Sequence, residues 1–309
     1  MEHIEIHEWV IFGVLVLGML ALDLFLFNRK SHDVRLKEAA AWSVVWICMA
    51  LGFNVYIYFV NGGDLALKFL AAYLVEKSLS VDNLFVFLAI FSHFKVPSRY
   101  QHRVLFWGVI GALVMRMLFI AAGTALLSRF SWMMIVFGIF LIYTGFKLAV
   151  SKKENYDPSH SPVMKFATRF LRFSKEIKSQ KFFVRENGVR MATPLLLVLI
   201  IVEFSDVLFA FDSVPAVLGI SDNFFIVYTS NVFAILGLRA LYFLIEGAIA
   251  KLRYLNIGLA VILIFIGIKM VVSDYFHVPV AYSLAFIASA LTLTIVFSLL
   301  LPEKKKAAK

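Results

Sequence analysis

Apolar residues recur along this chain in long runs, each close to the length that crosses a bilayer as a helix. A spanning helix needs about 20 mostly apolar residues, because each residue adds about 1.5 Å across a hydrocarbon core of about 30 Å. The pattern therefore predicts an all-α fold, a polytopic membrane helix bundle of about nine transmembrane helices. The predicted spans are residues 9–27, 40–60, 65–92, 104–127, 131–150, 193–220, 223–248, 253–273 and 280–301.

The spans form two blocks with a polar insert between them. Residues 1–151 carry spans one to five and residues 193–302 carry spans six to nine. Within the 152–192 insert, a turn-rich stretch at 155–162 is followed by residues 164–184, which place apolar residues at helical spacing among many Lys and Arg. This pattern predicts an amphipathic helix lying on the membrane, with anionic lipid headgroups as its partner. Residues 303–309 form a short basic tail.

Basic residues occur in alternate loops, which sets the orientation. They cluster at residues 29–37 and 95–103, in the 152–192 insert and in the tail. Loops rich in Lys and Arg stay in the cytoplasm. We therefore expect the N-terminus outside, the insert and the C-terminus inside, and a bacterial inner (plasma) membrane location.

Composition agrees with this interpretation. The chain is 61% hydrophobic and only 16% charged, whereas soluble domains carry about 25% charged residues. The formal net charge of +10 arises from loop residues between apolar runs. We therefore expect no nucleic-acid partner.

Two segments of the chain resemble each other. Residues 128–151 align with 250–273 without a gap, so that Gly145 corresponds to Gly267. Further upstream, Arg116 corresponds to Arg239 and Glu76 to Glu203, with slight slippage.

The resemblance predicts two three-helix repeats, 65–151 (spans three to five) and 193–273 (spans six to eight). Under the predicted orientation the two units run in opposite directions. Inverted repeats of this kind are typical of secondary transporters, whose substrate site lies near the bilayer midplane between the repeats.

The candidate chemistry lies in carboxylates within the spans. Each carboxylate at a helix centre costs about 2.5–3.5 kcal/mol on insertion scales, so we expect the acids to face the protein interior or water. They are Asp23, Glu76, Asp82, Glu203, Asp206 and Asp212.

Helical spacing groups these acids into stripes. At about 100° per residue, Glu76 and Asn83 share one face of span three. Glu203 and Asp206 share a face of span six, with Asp212 nearly opposite Glu203 in a regular helix. Pro215 predicts a helix break within 209–215, which would turn Asp212 towards the other acids. An Asp82–Asn83 irregularity is predicted in span three on the same grounds.

The donor set consists of oxygens, with no histidine or cysteine near the midplane. Such a site suits Mg²⁺, Ca²⁺ or Mn²⁺ rather than Zn²⁺ or Cu⁺. The predicted metal ligands are Glu76, Asp82, Asn83, Glu203, Asp206, Asp212 and Asp23. Arg116 and Arg239 are the predicted counter-charges for these acids, and a fixed ion pair that assembles the bundle is the alternative role.

Two acidic strings carry a resemblance to a known family. The strings EKSLSVDNLFVF from Glu76 and VEFSDVLFAFDSVPA from Val202 resemble the signature segments of the TerC family of membrane proteins. The stretch TSNVFAILGLRALYF from Thr229 is similar to the Alx branch in particular. This resemblance implies a transporter of the LysE-like superfamily that exports Mn²⁺, with the acids of both strings carrying the ion.

We therefore expect a manganese(II) exporter with a divalent cation as its substrate, exchange for protons as the coupling hypothesis, no enzymatic activity and no cofactor. Two other classes stay open. One is an intramembrane aspartyl protease that uses Asp82 and Asp206, although the Gly-x-Gly-Asp segment of such proteases is absent. The other is a membrane protein that supplies metal to secreted enzymes. The sequence leaves the oligomeric state open.

Overall fold

A computed structural model of the chain describes residues 5–27, 36–130, 132–150, 173–174, 181–186, 189–246, 254–273, 276 and 278–300. Ten α-helices and one two-stranded sheet lie within this part of the chain. In chain order they are α1 Ile6–Phe27, α2 Leu36–Asn61, α3 Gly63–His93, α4 Ser98–Arg129, α5 Met133–Val150, β1 Phe183–Glu186, β2 Val189–Ala192, α6 Pro194–Leu218, α7 Phe224–Leu236, α8 Leu238–Glu246, α9 Leu255–Val271 and α10 Val280–Leu300.

A helix lies at each of the predicted spans, so the all-α polytopic bundle fits the structure. By length and composition, five described helices can cross a membrane: α2, α4, α5, α6 and α10. α7 and α8, which are bent by 42° at their junction, would add a sixth if they form one broken span rather than a re-entrant loop. α1 and α9 contain shorter apolar segments. α3 is long enough but carries several charged residues, and the total number of crossings stays a prediction.

Local sequence signals explain how several helices begin. Gly62 adopts φ of 92° between α2 and α3, and this left-handed conformation suits glycine because it lacks a Cβ. The Asn223 side chain accepts hydrogen bonds from the backbone N–H groups of Phe225 and Ile226, at 3.0 and 3.3 Å, and so caps α7. Pro194 is the first residue of α6, where its missing N–H costs nothing.

The predicted breaks in spans three and six are wrong. α6 continues through Pro215 to Leu218, and α3 continues through Asp82 and Asn83. Pro215 lies in the last turn of α6, so it removes only one late helical hydrogen bond, which the helix tolerates. The observed bend is in span seven, at Gly237 between α7 and α8.

The insert ends in a β-hairpin, whose first two residues, Phe183 and Val184, belong to the segment predicted as an amphipathic helix, so the prediction is wrong there. Phe183 pairs with Ala192 in an antiparallel register, and Ala192 also forms a parallel bridge with Phe173. Residues 164–172 and 175–180 of the predicted helix lie outside the described residues. In the sequence, Asn187–Gly188 separates the two strands, and this dipeptide favours tight hairpin turns.

α5 and α9 pack backbone against backbone. A Cβ on Gly138 would lie 2.7 Å from the carbonyl oxygen of Gly267, and a Cβ on Gly267 would lie 2.6 Å from that of Gly138. Gly145 faces Ala260 in the same way, at 2.9 Å from its carbonyl oxygen. Small residues at such positions let membrane helices approach closely.

An aromatic cluster joins the N-terminal helices to α7. Phe12 of α1 and Phe53 of α2 pack on Phe225 and Phe233 of α7, with ring centroids 4.9–6.3 Å apart. Edge and tilted contacts at these distances are favourable for aromatic pairs. Phe69 of α3 packs on Phe233 as well, with ring centroids 6.1 Å apart, so the cluster places α7 beside the helix that carries the first acidic string.

Candidate cation site

Arg116 lies at the centre of the candidate site, in the middle of α4. Its Nη1 donates to Glu76 Oε1 and, at 2.7 Å, to Ser213 Oγ. Its Nε and Nη2 donate to the two carboxylate oxygens of Asp206, both at 3.5 Å. One guanidinium therefore holds together α3, α4 and α6.

These groups are almost fully removed from the surface. The exposed fraction is 0% for Glu76, 1% for Arg116, 4% for Asp206 and 2% for Ser213. Asp206 and Ser213 are seven residues apart, two helical turns, and therefore share one face of α6. The structure thus brings together one acid from each of the two acidic strings.

Glu203 lies one turn before Asp206 and is half-buried. Its carboxylate occupies the space beside Gly111 of α4, where a Cβ would overlap it. Gly111 has no side chain, so α4 leaves room for a third carboxylate next to Asp206. This arrangement requires a residue without a Cβ at position 111.

Asp212 lies on the opposite face of α6, as a regular helix dictates. Thr144 Oγ1 of α5 donates to Asp212 Oδ1 at 3.3 Å. Both residues line a cavity of about 70 Å³ together with Asn83 and Ser213. At about 30 Å³ for each molecule in liquid water, this is room for about two waters. Ser213 connects the cavity to Arg116, because its side chain lines the cavity and its Oγ accepts a hydrogen bond from Arg116.

Arg239, the second predicted counter-charge, lies at the start of α8 and is 5% exposed. It lines a small cavity with Asp206, and its Cζ lies 5.7 Å from the ring centroid of Phe106. Among the described side chains, the formal balance around Asp206 is three carboxylates, Glu76, Asp206 and Glu203, against the guanidinium groups of Arg116 and Arg239.

Several buried polar atoms near these helices have no hydrogen-bond partner among the described residues. They are Glu76 Oε2 and Ser80 Oγ on α3, and both side-chain amide atoms of Asn231 on α7. Buried polar atoms are normally satisfied by protein, water or an ion. Sequence reasoning missed Asn231, although an amide within an apolar span is itself a signal.

Lys77 was also missed. It follows Glu76 on α3, and its Nζ donates to the backbone carbonyl of Ala234 at 3.2 Å. That carbonyl belongs to the last turn of α7, where the bend occurs, and a Cβ on Gly237 would lie 2.6 Å from the same nitrogen. An ammonium group at the C-terminal end of a helix is stabilised by the helix dipole.

The assignment of these residues as metal ligands stays a prediction. Across the described side chains, no three His, Cys, Asp or Glu come together in a group that could hold a metal ion. In this arrangement the carboxylates of Glu76 and Asp206 both accept hydrogen bonds from Arg116. The side chains of Asp23 and Asp82, both predicted ligands, lie outside the described residues.

Comparison with known proteins gives a consistent family. The profile of the "Integral membrane protein TerC family" matches residues 61–306. The chain is 48% identical over 299 residues to the "Putative membrane-bound redox modulator Alx" of Salmonella typhi, with 94% of this chain and 93% of that protein covered. No solved structure matches.

Two further relatives extend the match to other bacteria. The "Uncharacterized membrane protein STKORF319" of Myxococcus xanthus is 47% identical over 292 residues, which cover 94% of this chain and 92% of that protein. An "Uncharacterized membrane protein" of Rickettsia bellii is 37% identical over 293 residues, which cover 95% and 97%. The relatives thus match over nearly their full length.

Proposed function

This chain belongs to the TerC family of integral membrane proteins, and we propose that it exports Mn²⁺ across the bacterial inner membrane through the acidic cluster around Arg116. The observation that carries the proposal is the shared guanidinium. Glu76 and Asp206, from different helices and both buried, converge on one cation that belongs to the protein itself.

A buried cluster of this composition has an affinity for further positive charge. Among the described side chains, three carboxylates face two guanidinium groups, so one negative charge is left over when these five groups are ionised. Burying an uncompensated charge within a membrane is costly, which favours a bound cation or a proton. The donors are oxygens, and such sites suit Mn²⁺, Mg²⁺ and Ca²⁺.

Arg116 acts in this proposal as a tethered substitute for the ion. When Mn²⁺ reaches Glu76 and Asp206, the guanidinium leaves them, and when the ion departs the guanidinium returns. The site then never holds both acids without a partner. The cavity lined by Asn83, Asp212 and Thr144 is a second oxygen-rich position for the ion, joined to the first through Ser213. Protons that bind the same carboxylates are the proposed exchange partner.

The glycine contacts between α5 and α9 support an inverted repeat. In the alignment of the two repeats, Gly138 corresponds to Ala260 and Gly145 to Gly267. The structure pairs Gly138 with Gly267 and Gly145 with Ala260. Gly138 therefore contacts the counterpart of Gly145, and Gly145 contacts the counterpart of Gly138. This exchange is expected of two repeats related by a two-fold axis. As the residue number rises along α5, the number of its partner falls by the same amount along α9, as in antiparallel packing.

The name of the Salmonella typhi relative suggests a redox role as a second candidate. The chain has one cysteine, Cys48, so it has no dithiol pair for electron exchange within one chain. The protease alternative is disfavoured because Asp206 is bonded to Arg116, whereas an aspartyl dyad activates water with two facing carboxyl groups. Metal transport is the activity that uses the buried acids directly.

Purified protein in proteoliposomes tests the proposal. The vesicles carry a fluorescent indicator chosen to respond to the ion under test, and Mn²⁺, Mg²⁺, Ca²⁺ and Zn²⁺ are added outside in turn. We expect Mn²⁺ flux well above that of empty vesicles, and loss of this flux in Asp206→Asn and Glu76→Gln. Asp64→Asn is the matched control, because Asp64 lies at the start of α3 with 64% of its side chain exposed.

Gel filtration and thermal unfolding are used to check that each variant is folded. Wild-type protein that is folded but moves none of the four ions faster than empty vesicles would overturn the proposal. Flux of Ca²⁺ or Mg²⁺ without Mn²⁺ would keep the site and replace the ion.

A further inference from the structure

A larger cavity lies at one end of the bundle, away from the candidate cation site. It has a volume of about 230 Å³ and is formed where α3 and α5 begin and α6 and α9 end. Under the predicted orientation this is the outer end of the protein. None of the residues in the cation proposal lines it.

Two ammonium groups point to the chemistry of this cavity. Lys68 of α3 and Lys269 of α9 both line it and are both half-buried. Lys68 Nζ lies 2.6 Å from Asp64 Oδ2. Lys269 has no ion pair or hydrogen bond among the described residues. An ammonium group offers three donors, so Lys269 retains its full donor capacity for a ligand.

The remaining lining has a mixed character. Asp222, which follows the end of α6, places a carboxylate at the same cavity. Leu218, Ile220 and Phe276 supply apolar surface. The cavity therefore presents positive, negative and apolar parts to one ligand.

We propose that this cavity binds a phospholipid with a zwitterionic headgroup that carries a primary amine. The phosphate lies between Lys68 and Lys269, the ammonium group of the headgroup donates to Asp222, and the apolar wall contacts the glycerol and upper acyl chain. A free phosphate ion would satisfy the lysines alone. A phosphate ion would repel the carboxylate of Asp222 and would make no contact with the apolar wall. Both points favour a lipid as the source of the phosphate.

Thermal unfolding of the full chain in detergent, with added ligands, tests this site. The probes are phosphatidylethanolamine, phosphatidylcholine, phosphatidylglycerol and inorganic phosphate. We expect phosphatidylethanolamine to raise the unfolding temperature most. Phosphatidylcholine should raise the unfolding temperature less, because its quaternary amine cannot donate a hydrogen bond to Asp222. Phosphatidylglycerol should also raise it less, because it has no amine.

Two variants separate the roles of the charges. Lys269→Gln should lose most of the response to every phospholipid, while Asp222→Asn should respond equally to phosphatidylethanolamine and phosphatidylglycerol. Lys147→Gln is the control, because Lys147 is an exposed lysine in the last turn of α5 and does not line the cavity.

Equal responses of wild-type protein to all lipids, or an unchanged response in Lys269→Gln, would overturn the proposal. A response to inorganic phosphate as large as that to phosphatidylethanolamine would assign the site to free phosphate instead. None of these three outcomes depends on whether the protein transports Mn²⁺.

Discussion

Gly138 and Gly267 face each other across α5 and α9 so closely that neither position has room for a methyl group. A Cβ on either residue would lie 2.6–2.7 Å from the other's carbonyl oxygen. Because the obstacle is backbone, it cannot move aside as the end of a flexible side chain does. The two helices would have to separate.

Gly138→Ala should therefore destabilise the protein. Overpacking a tight contact costs about 1–3 kcal/mol, and a clash with backbone on both helices places this site towards the upper end, above the gain of about 1 kcal/mol from replacing a helical glycine with alanine. The measurement is the unfolding temperature in detergent. Gly52→Ala is the control, since nothing lies within 4 Å of its Cβ position. If both variants were equally stable, the close approach of α5 and α9 would be refuted.

Lys77→Met should loosen the bend at Gly237. The substitution leaves the carbonyl of Ala234 without the ammonium donor, and an unsatisfied buried group costs about 1–3 kcal/mol. We expect faster amide hydrogen exchange in residues 236–241, measured by mass spectrometry. Lys147→Met, on α5, should leave exchange in this segment unchanged. Protection that is equal in wild type and Lys77→Met would show that the bend does not depend on the lysine.

The sequence predicts the helices well because burial in a bilayer leaves a strong signal. Apolar runs of about 20 residues can satisfy their backbone only as helices or closed barrels, and a helix lies at each of the nine predicted spans. Turn chemistry was harder to recognise. The hairpin before α6 surrounds an Asn–Gly pair, a plain turn signal, but the Lys, Arg and Phe residues just before it favour an amphipathic helix.

The candidate site could be predicted only in part. The common face of Asp206 and Ser213 follows from helical spacing, and both contact Arg116. The predicted break at Pro215 was wrong because a proline in the last turn removes one bond without redirecting the helix. Asp212 accordingly stays on its own face. The contact of Lys77 with Ala234 joins residues 157 positions apart, and no local pattern reveals it.

Gly111→Ala should separate function from stability. The new Cβ would overlap the Glu203 carboxylate, which is the end of a flexible side chain and can swing away. We expect the unfolding temperature to change little and Mn²⁺ flux in proteoliposomes to fall, because Glu203 leaves its position beside Asp206. Gly13→Ala, with nothing within 4 Å, is the control for flux. Normal flux in Gly111→Ala would remove Glu203 from the predicted ligands.

Arg116→Met distinguishes a tethered substitute for the ion from a fixed structural pair. The variant leaves Glu76 and Asp206 without their shared partner, and removing one side of a buried ion pair costs about 3–5 kcal/mol. If the guanidinium stands in for the cation, Mn²⁺ should take its place and raise the unfolding temperature more in the variant than in wild type.

A fixed pair predicts a different result, in which Mn²⁺ gives Arg116→Met no more stabilisation than it gives wild type. The triple variant Arg116→Met/Glu76→Gln/Asp206→Asn removes charge from all three residues. It should recover part of the lost stability, since no charge in the triad is left unpaired, and it should not respond to Mn²⁺. A rescue of Arg116→Met by Mn²⁺ that disappears in the triple variant would therefore locate the ion on these two carboxylates. Rescue that persists would place it elsewhere.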